Sequence, residues 1–332
     1  MEIDIPKTMK AIRFHTYGDP EVLQFEDIPL PSAQAGEVLV RVHAAGVNPG
    51  DWQMRSGLAH RKFQIDVPLP YIPGYDVSGI VEAVGPGVTT FQRGDAVYGM
   101  TTHGAAYAEY TTADPSHLAF KPVSIDHIQA AGVPMSTFTA WHTLFVRTRV
   151  VAGQTVLVNG AAGGVGHFAV QLAKAQGARV IGVASGRNEA FLRELGVDLF
   201  IDYTTTPVEQ VAHDVDLVID TVGGENGNRL LSVLKRGGTL IPTTWGHYST
   251  KHAASASLTV EDVVLLLPTT AQLAEISKLI DTGRVRVEVS MVQPLAEAYK
   301  AHELSESGHA RGKIVLRVVE ERSPHYVVRT SL

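Results

Sequence analysis

The sequence contains no cysteine. That absence excludes disulfide frameworks, thiol nucleophiles, cysteine-ligated zinc and iron–sulfur clusters together. Excess positive charge is lacking as well: 28 Lys and Arg stand against 34 Asp and Glu, a formal net charge of −6. With no Lys/Arg run, the chain offers no footprint for a phosphate backbone, and a nucleic-acid partner is not expected. Long hydrophobic runs are missing too, since the longest purely aliphatic stretch, Val263-Val-Leu-Leu-Leu267, falls far short of a membrane span. The N-terminus, Met1-Glu-Ile-Asp-Ile-Pro6, is acidic where a secretory leader would be basic. No membrane partner is therefore expected, and the expected location is cytoplasmic.

What is present is an ordinary globular composition, 45% apolar and 19% charged over 332 residues, enough for about two domains at roughly 150 residues each. Residues 8 to about 125 read as short strands broken by Gly and Pro, among them Met9-Lys-Ala-Ile-Arg-Phe14, Glu37-Val-Leu-Val-Arg-Val-His43 and Val77-Ser-Gly-Ile-Val-Glu-Ala-Val84. Gly18-Asp-Pro20, Asn48-Pro-Gly-Asp51, Gly85-Pro-Gly87 and Arg93-Gly-Asp95 mark reversals between them. From about 126 the texture changes. Apolar strand runs recur around Val156, Val180, Phe200, Val218 and Leu240 with helical stretches between, a βαβ rhythm. Thr155-Val-Leu-Val158 is apolar without alternation, as a parallel strand covered on both faces should be. Val165, Phe168, Ala169, Leu172 and Ala173 share one helical face, and Gly177 follows as a C-cap. After 267 the sequence predicts a helix Thr270–Ile280, an alternating strand Val285-Val287-Val289, a helix Leu295–Glu306 and a strand Lys313–Val319, followed by a polar tail 320–332.

Between the strand at Val156 and the helix at Val165 lies Gly160-Ala161-Ala162-Gly163-Gly164-Val165-Gly166, where a dinucleotide-binding fold carries its G-x-G-x-x-G turn. Ala161 takes the first glycine position. Gly163 lets the backbone approach a pyrophosphate, Gly166 lets the helix pack on the strand, and the helix N-terminus offers free amides to the phosphates. An NAD-specific site carries Asp or Glu at the end of the next strand; here stands Ala184-Ser185-Gly186-Arg187. Without a carboxylate to repel a 2′-phosphate, and with Ser185 and Arg187 able to donate to one, the expected cofactor is NADP(H). The alternative for Arg187 is a solvated surface charge.

Several collinear motifs extend this pattern: Met9-Lys-Ala with Tyr17-Gly-Asp-Pro-Glu-Val-Leu23, Gly36-Glu-Val-Leu-Val-Arg-Val-His-Ala-Ala-Gly-Val-Asn-Pro49, Asp51, Arg55-Ser-Gly57, Pro73-Gly74, Asp76-Val-Ser-Gly-Ile-Val-Glu-Ala-Val-Gly85, Thr139-Ala-Trp-His142, Gln171-Leu-Ala-Lys174, Ile201-Asp-Tyr203, Asp220-Thr-Val-Gly223 and Gly312-Lys-Ile-Val315. Together they resemble the medium-chain dehydrogenase/reductase superfamily, and within it the zinc-independent quinone oxidoreductase, or zeta-crystallin-like, family. The resemblance covers residues 8 to about 319. It implies an α/β protein in which a mostly-β GroES-like catalytic domain, residues 1–125 and 267–332, surrounds an inserted Rossmann domain with a doubly wound parallel sheet, residues 126–266. Zinc-dependent relatives hold their catalytic metal with a cysteine and a His-Glu pair; here those positions read near Asn48 and as Gly74-Tyr75-Asp76. The 14 histidines are scattered, none in an H-E-x-x-H, and no metal is expected.

The resemblance further implies that Asn48 sits beside the nicotinamide ribose and substrate, that Thr139 contacts the cofactor, and that Tyr203 lies near the 2′-phosphate. Val222, Gly223, Thr243, Thr244 and Trp245 would line the nicotinamide end. Each residue has a plainer reading: Asn48 as a turn residue before proline, Thr139 as helix packing, Tyr203 as a strand-end aromatic. Lys313 stays open between a strand-edge charge and a cofactor contact. Many family members carry a tyrosine two residues beyond the aspartate, where this chain has Gln53. An amide cannot supply a proton at neutral pH, so the expected sources are water or, as weaker candidates, Tyr71, Tyr75 and Tyr248.

Metal-free hydride chemistry needs an acceptor that is already electron-poor, a quinone or an α,β-unsaturated carbonyl. Alternatives are an enoyl reductase acting on a thioester-bound acyl chain and a non-catalytic protein binding NADPH and RNA. A homodimer is the usual assembly in the family.

Overall fold

A computed structural model describes residues 6–225, 227–261 and 267–319. The expected polar tail 320–332 lies outside them. Strands and helices follow in the order β1 (Thr8–Arg13), β2 (Gln24–Pro29), β3 (Val38–Val47), α1 (Pro49–Arg55), α2 (Leu58–Phe63), β4 (Asp76–Val84), β5 (Ala96–Met100), β6 (Tyr110–Ala113), β7 (Leu118–Phe120), α3 (His127–Ala131) and α4 (Pro134–Trp141). They continue with β8 (Thr155–Asn159), α5 (Gly164–Ala175), β9 (Arg179–Ala184), α6 (Glu189–Glu194), β10 (Leu199–Asp202), β11 (Val215–Asp220), α7 (Gly227–Leu231), β12 (Leu234–Pro242), α8 (Thr250–Ala256) and β13 (Thr259–Val260). The last elements are α9 (Thr270–Asp281), β14 (Val289–Pro294), α10 (Ala298–Glu306) and β15 (Lys313–Arg317).

Two sheets organise these elements. The first runs β10-β9-β8-β11-β12-β13, parallel throughout. Renumbered from β8 that order is 3-2-1-4-5-6, the doubly wound Rossmann arrangement, with its topological switch between β8 and β11. Val156, Leu157 and Val158 are all fully buried, because helices cover both faces. The second sheet runs β14-β15-β3-β4-β5-β7 with β6 also paired to β3, and it draws β14 and β15 from beyond the Rossmann strands. It is the GroES-like half.

Helix α5 forms as its spacing predicts: Phe168, Ala169, Leu172 and Ala173 are buried, and Gly177 takes φ +85° after the last turn. The segment 285–288 departs from the expected strand, which begins only at Val289. Val285 and Val287 do alternate inward. Their neighbour Arg286, however, exchanges backbone hydrogen bonds with the Gln171 side chain, and Val285 N donates to Leu279 O, so no neighbouring strand is paired there. Two short helices, α2 and α8, stand in the connections after α1 and after β12. Among the described residues no helix is long and apolar enough to cross a membrane.

Phe168 carries the sharpest test of this packing, being fully buried in the cluster that joins α5 to β8 and α9. Phe168→Ala should lower unfolding free energy by about 3–5 kcal/mol in urea titrations. A loss under about 1 kcal/mol would mean that this helix face does not meet the core.

Candidate functional site

The carboxyl ends of β8, β11 and β12 converge at the switch point, where open α/β sheets bind ligands. The turn leaving β8 is tightly built. Gly160 has φ +78°, and a Cβ there would lie 2.3 Å from Thr221 Oγ1. A Cβ on Gly166 would lie 2.1 Å from the Gly160 carbonyl oxygen, so its absence lets α5 begin directly over the turn. Gly163, the extended N-cap, has only Gly160 O within 4 Å of a Cβ, at 3.3 Å, which leaves its outer side open. Ala161 and Ala162 are buried behind it, and the first amides of α5, at Gly164, Val165 and Gly166, have no intrahelical acceptor. Open backbone plus free amides is a cradle for a pyrophosphate.

Asp220, at the end of β11, shapes the next loop. Its Oδ1 accepts from Asn159 Nδ2 (2.8 Å), Val222 N (3.0 Å) and Gly223 N (3.1 Å), while its carbonyl accepts from Thr243 N (2.8 Å). Gly224 N donates to Trp245 O (2.8 Å), which brings Val222, Gly223, Thr243, Thr244 and Trp245 beside the glycine turn. Across the crevice, Phe63 of α2 stacks on Trp245 with ring centroids 3.6 Å apart and planes 18° from parallel. This aromatic pair ties the GroES-like half to the Rossmann half.

At the end of β9, Ser185 and Arg187 lie beside Tyr203, whose amide donates to Ala184 O (3.3 Å) and whose ring is 57% exposed. Ser185 Oγ accepts from Asn188 Nδ2 (3.1 Å), and Arg187 Nη2 donates to His309 O (2.9 Å). The corner is not free of carboxylates, contrary to what the β9 loop alone implies. A carboxylate does stand near this corner: a Cβ on Gly186 would lie 2.5 Å from Asp202 Oδ2. Asp202 comes from the neighbouring strand β10, so inspection of the β9 loop alone misses it. Its Oδ1 accepts from Thr204 N and Oγ1, which holds its pKa below the usual carboxylate range.

Asn48 lies at the centre of a buried polar network. Its backbone amide donates to Asp51 Oδ2 (2.8 Å), its Nδ2 to Asp76 Oδ2 (3.0 Å), and its Oδ1 accepts from Lys313 Nζ (2.5 Å). Lys313 Nζ also donates to Ser136 Oγ (2.9 Å) and Val47 O (3.3 Å) and stands 3.8 Å from Asp76 Oδ2. An ammonium has three donors. With all of them engaged and the residue buried, Lys313 is not a solvated strand-edge charge; it holds Asn48 in place. Burial pushes the Asp76 pKa up and that of Lys313 down, and each is opposed by the charge of the other. Thr139, on α4, donates its hydroxyl to Met135 O (2.7 Å), so toward a ligand Oγ1 is an acceptor only.

Two family models match the chain: an alcohol dehydrogenase GroES-like domain over residues 34–147 and a zinc-binding dehydrogenase over 195–316. The NADPH-dependent alkenal/one oxidoreductase of Arabidopsis thaliana is 35% identical over 330 residues, 95% of this chain and 81% of that protein. The solved quinone oxidoreductase of Coxiella burnetii superposes with a TM-score of 0.84 at 37% identity, covering 94% of this chain and all of its own. The chain belongs to the quinone oxidoreductase family. Its fold is likewise that of the Escherichia coli quinone oxidoreductase complexed with NADPH, with TM-score 0.84, 29% identity, and coverage of 93% and 100% of the two chains.

The family model's zinc does not fit the residues present. The positions that hold a catalytic metal in zinc-dependent relatives are here an amide, a phenol and a carboxylate already engaged by Lys313, Asn48 and Met135 N. An ammonium sits where a cation would otherwise balance Asp76. NADP(H), by contrast, fits the open face of Gly163, the free α5 amides and the donors at Ser185 and Arg187.

Sequence reasoning passed over Asp51, Asp76, Ser136 and Tyr107 as functional residues. Asn48 followed three positions later by Asp51 is a legible helix-start pair. Nothing local marks Ser136 as the partner of Lys313. Asp51 is fully buried, with Tyr107 Oη donating to its Oδ2 (3.0 Å) and its Oδ1 unpartnered; burial pushes its pKa up from 3.8 to about 7. Between pH 4 and 7 the folded state therefore holds a proton that the unfolded chain has released, and stability falls as pH rises through that window. Asp51→Asn should remove this slope, so the stability of wild type relative to the variant should decline from about pH 4 to 7 in urea titrations; parallel profiles would refute the raised pKa.

Proposed function

We propose that this chain is an NADP(H)-dependent oxidoreductase that transfers hydride to a quinone or to the activated C=C bond of an α,β-unsaturated carbonyl. The observation that carries the proposal is the composition of the site. A phosphate cradle faces a crevice whose polar floor is an ammonium–carboxylate–amide network, and among the described residues no cluster of His, Asp and Glu offers a ligand set for a Lewis-acidic metal. Such a floor cannot polarise a simple ketone strongly, so the acceptor must bring its own electron deficiency. The bound cofactor supplies hydride.

The chain's own residues do the rest. The N-terminus of α5 and the amides after Gly163 hold the pyrophosphate. Ser185, Arg187 and Tyr203 form the corner for the adenosine 2′-phosphate, where the Arg187 charge and the hydroxyl donors outweigh the neighbouring Asp202 carboxylate. Asn48, fixed by Asp76 and Lys313, sets the edge of the nicotinamide pocket together with Thr139. Val222, Gly223, Thr243 and Thr244 line its other side. Phe63 and Trp245 close the crevice with an apolar pair that excludes water from the reacting atoms.

The same proposal divides the chain into a GroES-like domain of residues 1–125 and 267–332 and a Rossmann domain of 126–266, places it in the cytoplasm, and pairs two copies. Support for pairing is that β13 ends the parallel sheet with its outer edge unpaired among the described strands. Light scattering should give about twice the chain mass of 35.7 kDa; a monomer at micromolar concentration would refute the dimer.

Steady-state oxidation of NADPH and NADH with simple enones, p-benzoquinone and an enoyl thioester tests the activity. NADPH with the quinone or enone should give the highest kcat/KM, and Gly163→Val should remove NADPH binding. Faster NADH oxidation would refute the cofactor assignment. Preference for the thioester would favour a biosynthetic enoyl reductase, and no turnover with RNA retained on filters would favour a binding protein.

A further inference from the structure

Hydride addition to an enone leaves a demand that the network around Asn48 does not meet. The β-carbon takes the hydride, and the resulting enolate needs a proton on its α-carbon. Protonation at carbon is slow without a placed acid, and a general acid typically contributes 10²–10⁴-fold. Gln53 cannot serve, and the candidates Tyr71, Tyr75 and Tyr248 are separated by where each hydroxyl proton goes.

Tyr248 Oη donates to Asp220 Oδ2 at 2.7 Å, so its proton is committed to a carboxylate. Tyr71 is buried, 7% exposed, and its hydroxyl is packed so closely on Gly104 that a Cβ there would lie 2.3 Å from it. Tyr71 Oη donates to Tyr75 Oη at 3.1 Å. Tyr75 is only partly buried, and its own hydroxyl proton has no acceptor among the described residues. Its phenol lies within electrostatic reach of Asp51, the carboxylate that accepts from the Asn48 amide, so it stands beside the network around Asn48. The carbonyl of Tyr75 accepts from Thr101 N (2.9 Å), which fixes the backbone beneath it.

We propose that Tyr75 is the general acid that protonates the α-carbon of the enolate, with Tyr71 orienting its hydroxyl. The proposal rests on the hydride-transfer reading above. In the step, the Tyr75 O–H bond breaks and an α-carbon–hydrogen bond forms with the enolate's electron pair. The phenolate left on Tyr75 accepts the hydrogen bond of Tyr71 and regains its proton from solvent on its exposed side. Burial keeps Tyr75 neutral, with its pKa above the ordinary phenol value, so the proton is in place when the enolate forms. A quinone makes no such demand: its reduced form is protonated on oxygen, which water does quickly.

That asymmetry defines the experiment. Tyr75→Phe, Tyr71→Phe and Tyr248→Phe are compared on one enone and one quinone with NADPH, and the enone product is also formed in D2O and analysed for the configuration of deuterium at the α-carbon. For Tyr75→Phe the ratio of enone to quinone kcat should fall about 100-fold. The α-deuterium, a single diastereomer for wild type, should become a mixture because solvent reaches both faces. Tyr71→Phe should lower the same ratio less, and Tyr248→Phe should leave product configuration intact. Equal loss on both acceptors, or an unchanged ratio with an unchanged single diastereomer, overturns the assignment. So does the same signature in Tyr248→Phe but not in Tyr75→Phe. Wild type that reduces quinones but no enone also overturns it, whereas failure with every acceptor refutes the hydride-transfer reading itself.

Discussion

One buried ammonium holds the functional region together. Lys313 Nζ binds the last carbonyl of β3, the side chain that begins α1, and a serine of α4, and it neutralises the first residue of β4. Its aliphatic stem runs between Gly132 and Gly164, within 3.4 Å of where a Cβ would stand on either, so the glycine turn after β8 packs on the same side chain. Removing one partner of such a pair leaves an uncompensated buried charge, typically a penalty of about 3–5 kcal/mol. The position of Asn48, the seating of the glycine turn and the join between the two sheets are therefore one problem with one solution.

Much of this was legible from the residues alone. The apolar strand runs at Val156, Val180, Phe200, Val218 and Leu240 all became parallel strands, because covered strands need no alternation and little else has that texture. The face of α5 and its glycine cap were readable for the same local reason. What escaped was long-range. Lys313 and Ser136 are 177 residues apart, and no periodicity links a lysine before an apolar strand to a serine inside a helix. Asp202 reached the corner at the end of β9 from an adjacent strand, which register decides and composition does not. The 285–288 segment kept strand-like alternation but found a glutamine side chain where a strand neighbour would stand.

The absence of cysteine gains a more specific meaning beside this network. A zinc site stabilises developing charge on an oxygen by direct coordination; here the buried cation is engaged by Asn48, Ser136, Val47 and Asp76. The electrostatics that remain favour orientation over activation. Chemistry with acceptors that carry their own activation is consistent with this, and so is a floor made of hydrogen bonds between side chains that never leave the protein interior.

Lys313 and Asn48 are 265 residues apart, and that separation governs the order in which the molecule is made. On a ribosome, β3, α1 and β4 emerge early, yet Asp76 has no cation to meet until residue 313 has followed. The parallel sheet from β8 to β13 lies wholly inside that interval and has all its strands first. A nascent chain thus carries a completed inner fold while the outer one waits with an open edge on β3, the edge that β15 later fills. Until residue 313 is made, the segment of β3 from Ala44 to Val47 lacks the strand that completes it.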